Sequence, residues 1–144
     1  MKKELLRAAV ALTWLAAGTP VGAAQVTVSD AWFRALPASL PAGGYFTLHN
    51  NGTAVQLTAA QSPACGTLML HRSTRTGGMD SMMMVGSVVV PAGGTIAFSP
   101  GGYHLMCTSP KSAMTPGGQV PVTFRFSDGT TMTARFEVRN ASGR

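Results

Sequence analysis

From residue 25 onward the chain is cut into short apolar stretches by glycine- and proline-bearing turns, and no segment sustains a 3.6-residue apolar period long enough for a helix. The punctuation is Asn50-Asn51-Gly52, Pro91-Ala92-Gly93-Gly94, Pro100-Gly101-Gly102, Pro116-Gly117-Gly118 and Asp128-Gly129. Between these turns lie predicted strands at Val26–Val28, Gly44–His49, Val55–Ala59, Thr67–Arg72, Ser87–Val90, Thr95–Phe98, Tyr103–Cys107, Val120–Phe126 and Thr131–Val138. Short strands at this spacing predict an all-β sandwich or barrel. The clearest unit is a hairpin in which Thr123-Phe124-Arg125-Phe126 and Thr133-Ala134-Arg135-Phe136 flank Asp128-Gly129. Pro-Ala-Gly-Gly occurs at 41–44 and 91–94, but its flanks differ, so turn chemistry is repeated without an internal repeat.

The segment before residue 25 belongs to a different class. Lys2, Lys3 and Arg7 precede an apolar run from Ala8 to Ala17, and Val21-Gly22-Ala23-Ala24 follows with small residues. That order predicts a secretory signal peptide over residues 1–24, cleaved after Ala23 or Ala24, and a mature domain over 25–144. The run is too short to span a bilayer, which takes roughly 20 apolar residues, so no stable membrane insertion is expected after cleavage. No cysteine follows it, so a lipid-anchored form is not expected either. The mature domain would carry eight basic and four acidic residues, net +4, and its cations are scattered. Nucleic-acid binding, which gathers cations on one stripe, is not expected.

A strand turns side chains i and i+2 to the same face. His104 and Met106 therefore share one face of Tyr103–Cys107, and Leu105 and Cys107 the other. In Thr67–Arg72, Met69 and His71 share a face opposite Leu68 and Leu70. The leucines belong in a core, so both histidines should face outward or into a surface site. With Met82 they form the spacing H-x10-M-x21-H-x-M. Thioether and imidazole are soft donors suited to Cu(I), and a thioether has no proton to lose on binding metal. Methionine is also the usual filler of irregular cores, so Met82-Met83-Met84 alone would read as packing. The coincidence of a His-x-Met pair, an upstream histidine and a methionine-rich loop is what points to metal. Catalysis is not expected: charged residues make up 11% of the chain, and no nucleophile triad or carboxylate pair stands out. The mature start also lacks the histidine that an N-terminal copper brace would need.

Cys65 and Cys107 are the only cysteines. An even pair in an exported domain favours a disulfide. A buried thiol is the alternative, and strand parity turns Cys107 away from His104 and Met106. Blue-copper ligation, which needs a cysteine beside two histidines, is disfavoured for the same reason. His49 lies outside the metal spacing and is expected at the surface.

These residues resemble the periplasmic copper chaperones of the PCu(A)C family, whose signature H-(M)-x10-M-x21-H-x-M is matched at all four ligand positions. Ala31-Trp32-Phe33-Arg34-Ala35-Leu36-Pro37, Ala42-Gly43-Gly44-Tyr45-Phe46-Thr47-Leu48, Val90-Pro91-Ala92-Gly93-Gly94-Thr95 and Pro100-Gly101-Gly102-Tyr103-His104-Leu105-Met106 are similar to further segments of that family. The resemblance implies a cupredoxin-like, Greek-key β-sandwich. It implies a monomeric periplasmic Cu(I) carrier with His71, Met82, His104 and Met106 as metal ligands and no catalytic residues. Its partner would be a copper-receiving protein, either a cytochrome c oxidase subunit at the Cu(A) centre or another assembly chaperone. Arg72 stands where the family often has a methionine, which leaves Met79, Met83 and Met84 as candidate substitutes. Trp32 and Tyr103 read as core or rim aromatics, with a shield over the metal as the alternative for Tyr103. The chain lacks the His/Met-rich tail of some members, so a second copper site is not expected. Copper resistance or storage is the alternative role, and a metal-free exported β-sandwich the more distant one.

Overall fold

A computed structural model describes residues 25–37 and 39–144, so the predicted leader at 1–24 lies outside the described residues. Ten strands follow in order: β1 (Val26–Arg34), β2 (Ala42–Asn50), β3 (Val55–Gln61), β4 (Cys65–Thr76), β5 (Met79–Met84), β6 (Val88–Val90), β7 (Thr95–Phe98), β8 (Tyr103–Pro110), β9 (Gln119–Phe126) and β10 (Thr131–Arg139). The described residues contain no helix, as the turn spacing predicted. The strands are hydrogen-bonded in the order β5-β4-β8-β2-β1-β10-β9-β3-β6, with β7 added on β2. β1 joins the two ends of the domain, pairing antiparallel with β2 and parallel with β10. β3 also packs against β4, so the sheet folds over its own core.

Alternation along the strands fills that core. Phe46 and Leu48 of β2 point inward, as do Val120, Val122, Phe124 and Phe126 of β9. The centre is aromatic: Phe46 stacks on Phe98 with ring centroids 4.3 Å apart and meets Phe124 at 4.9 Å and Phe136 at 5.6 Å. Such contacts add about 0.5–1.5 kcal/mol each beyond the area they bury. Gly44 is required at a close approach, since a Cβ there would lie 2.6 Å from Phe33 Cε1 and 3.0 Å from Leu105 Cβ. Buried Asn50 closes the turn after β2, donating from Nδ2 to the Thr53 and Val90 carbonyls and accepting from the Gly52 amide.

Two expectations are settled here. Cys65 and Cys107 form a disulfide between β4 and β8, Cα atoms 5.4 Å apart, on the core side. The methionine-rich stretch read as a loop is instead strand β5, paired to β4 from Thr76↔Met79 to His71↔Met84. The turn between them is Gly77-Gly78, with φ of 60° and 78°. Positive φ at both central positions is what a two-residue type I′ turn demands, and it matches the twist of the flanking strands. Nothing in the apolar pattern marks β5, because all six of its residues are exposed.

Candidate metal centre

Residues directly opposite in an antiparallel ladder project to the same face, with Cβ atoms about 4.5–5.5 Å apart. The β5–β4–β8 ladders therefore gather several soft donors into rows on one outer face. His71 of β4 stands between Met84 of β5 and His104 of β8. One pair outward, Met82 stands opposite Ser73. One pair inward along β4 and β8, Met69 stands opposite Met106, which in turn faces Gly43 of β2. Gly43 has no side chain, and the Tyr45 hydroxyl lies over it, 2.8 Å from where a Cβ would stand.

The opposite parity holds the ladder to the core. Leu70, Leu105 and Cys107 are buried beneath the donors, as the alternation predicted. Tyr103 belongs to that side too, 5.5 Å from the Phe98 ring and beneath the Arg72 guanidinium at 5.3 Å. Tyr103 is therefore a core-side aromatic and not a shield for the donors, and Arg72 is turned away from them. Tyr45 of β2 takes the place by the donors instead. His49 is exposed and bonded to Thr95 Oγ1 at 2.8 Å.

Met82, His104 and Met106 line one surface depression of about 390 Å³ together with Gly43, Tyr45 and Ser73. His71 does not line it, but its ring stands edge-on to His104 with centroids 5.6 Å apart. The structure thus brings the two histidines into contact and places both methionines on the same face.

The histidines have the electronic state that a metal ligand needs. His104 is 4% exposed and its Nδ1 lies 3.2 Å from the Gly102 carbonyl. A carbonyl only accepts, so Nδ1 carries the proton and Nε2 keeps its lone pair. That Nε2 is shielded from solvent without a hydrogen-bond partner, and so is Nδ1 of His71. A shielded polar atom left unpaired costs about 1–3 kcal/mol, so two side by side suit a group that would occupy both. Burial, reinforced by the charge of a protonated His104, pushes the His71 pKa below its ordinary 6.5. Among the described residues no three His, Cys, Asp or Glu side chains converge. A metal held by side chains on this face would therefore draw on thioether sulfur beside the two imidazoles, which favours a soft ion.

A cation borders the same depression. Arg34 of β1 lines it, its Cζ 5.4 Å from the Trp32 ring and 5.6 Å from the Tyr45 ring. Arg139 stacks on Trp32 at 4.8 Å and is neutralised by Glu137 at 3.0 Å. A bulge between Ser29 and Trp32, with Asp30 at φ 51°, sets Trp32 opposite Tyr45. The aromatic–cation platform was not foreseen from sequence, since parity alone cannot tell which aromatics meet across three strands.

Comparison with known proteins identifies the family and the fold. The LpqE-like family model, described for lipoproteins, matches residues 26–138. A Leifsonia xyli subsp. xyli protein described as a lipoprotein is 35% identical over 120 residues, covering 82% of this chain and 72% of that protein. An uncharacterized Rickettsia prowazekii protein is 30% identical over 98 residues, 67% of this chain and 54% of that protein, so the chain spans about half its length. Among solved structures, the copper-bound PCuAC domain from PmoF2 superposes with TM-score 0.67 at 17% identity, over 81% of this chain and 93% of that domain. The solution structure of CuI-DR1885 from Deinococcus radiodurans gives TM-score 0.64 at 31% identity, over 85% of each chain. The fold is the cupredoxin-like β fold of PCuAC domains.

Proposed function

This chain belongs to the LpqE-like family, and we propose that it is an exported, non-enzymatic Cu(I) carrier that holds the ion with His71, Met82, His104 and Met106. Residues 1–24 act as its leader, and the mature domain works in the periplasm as a monomer. The observation that carries the reading is the pair of shielded imidazole nitrogens without partners, on the same strand face as two thioethers. Such a donor set is neutral. The guanidinium of Arg34 beside it is permanently charged, and its repulsion grows with the charge of the bound ion. Both features favour Cu(I) over Cu(II). Thioether bonds are weak singly, which suits an ion that must be handed on. The recipient is a copper-receiving protein of cytochrome c oxidase assembly, at the Cu(A) centre.

Titration of the protein with Cu(I) against a chromogenic chelator tests binding. About one equivalent should be withdrawn, and Met106→Ala or His104→Ala should abolish this while leaving the fold intact. No withdrawal by the wild-type chain refutes the carrier reading. Delivery is tested in a deletion strain: loss of oxidase activity rescued by added copper is expected. Copper hypersensitivity with normal respiration would replace delivery with resistance.

A further inference from the structure

The row across the three strands holds a donor outside the four-ligand set. Met84 is the register partner of His71, as His104 is on the other side, whereas Met82 stands one pair further out opposite Ser73. The Cβ of Met84 is thus within about 5.5 Å of that of His71, and three further rotatable bonds give its sulfur wide reach. Met82 and Met84 are 62% and 68% exposed, so no packing fixes either rotamer. Met79 and Met83 are exposed too, but they alternate to the other face of β5, where no histidine stands. The strand therefore singles out one additional thioether from the exposed methionines.

We propose that Met84 is a further Cu(I) donor that exchanges with Met82, so that copper moves between two donor sets sharing His71, His104 and Met106. The inference rests on the carrier reading and specifies how its site gives up the ion. The step is a ligand substitution: the Cu–S bond to Met82 breaks as the bond to Met84 forms. No proton or electron is transferred, because both thioethers are neutral and copper stays Cu(I). A recipient's donor then needs to displace only a mobile, exposed thioether, while the two histidines keep their places on the core strands.

The test uses the full mature chain, Cu(I) as probe and a chromogenic chelator as competitor, with Met82→Leu, Met84→Leu and the double variant. Leucine keeps the apolar bulk and removes the sulfur at positions too exposed to affect folding. Each single variant should weaken Cu(I) binding by several-fold, and the double by about 10-fold more than the product of the two, since each sulfur covers for the other. Nuclear magnetic resonance of methyl-labelled methionine gives a second readout: on adding Cu(I), the Met82 and Met84 methyls should both shift and those of Met79 and Met83 should not. An unchanged affinity for Met84→Leu in both the wild-type and Met82→Leu backgrounds, or an unmoved Met84 methyl, overturns the proposal. His104→Ala separates the two failures. If it loses copper while the Met84 series stays flat, only the exchange is wrong; if wild-type protein binds no Cu(I), the carrier reading falls as well.

Discussion

Replacing both cysteines by alanine should lower stability by about 4 kcal/mol and leave copper binding in place. Cys65 and Cys107 are separated by 42 positions. In the chain-entropy treatment the closed loop removes about 13 cal/mol/K from the unfolded chain, which is about 4 kcal/mol at 25 °C. The unfolding entropy of a domain of about 120 residues is near 250 cal/mol/K, so each kcal/mol moves the midpoint by about 4 °C. A fall of about 16 °C in Tm is expected by scanning calorimetry, and reductant on the wild-type chain should produce a similar fall. Both sulfurs lie on the core side, away from the histidines and methionines. At 25 °C the folded double variant should still withdraw about one equivalent of Cu(I) from a chelator. A Tm change under about 4 °C would refute the entropic reasoning. Loss of copper with an unchanged circular dichroism spectrum would show that the cysteines take part in the site.

Three further outcomes follow from the geometry. The lowered His71 pKa keeps that imidazole neutral at neutral pH, so Cu(I) affinity should hold from about pH 8 to 7 and fall as acid protonates His71. The unfolded chain binds the His71 proton more readily than the folded one, so this residue's contribution to stability is present above pH 6.5 and declines as pH drops through it; denaturant midpoints across pH measure it. Gly44→Ala should destabilise by about 1–3 kcal/mol in urea, because its Cβ would meet buried Phe33 and the Leu105 Cβ. Replacing Gly77 and Gly78 by alanine puts two side chains at positive φ, at about 1–2 kcal/mol each; it should weaken Cu(I) binding through β5, and because the exposed hairpin opens locally before the core does, Tm should fall by less than the roughly 8–16 °C that a global loss of that size would give.

Much of this arrangement is legible in the residues because period-two alternation is a local property. Leu105 and Cys107 buried beneath His104 and Met106, the Asp128-Gly129 hairpin and the all-β class each follow from a few neighbouring positions. β5 escaped because a strand exposed on both faces leaves no alternation, and only Gly77-Gly78 marks its turn. Register was also out of reach. That His71 opposes both Met84 and His104 depends on how three strands slide against one another, and so does the placement of Tyr45 by the donors. The exclusion of Met79 and Met83 from the donor face needed that register as well.

The exposure of β5 bears on how tightly any bound ion can be kept. Local opening free energies run from near zero at poorly buried elements to the global value in the core. The β4–β5 hairpin, with no buried side chain on β5 and no strand on its outer edge, lies at the low end of that range. His104 and Leu105 lie on a strand tied to the core and crosslinked through Cys107. Amide hydrogens of β5 should exchange with solvent orders of magnitude faster than those of β8. One donor of the four, Met82, would then sit on a hinged flap and the other three on fixed ground, so discharge would need only the fraying of β5.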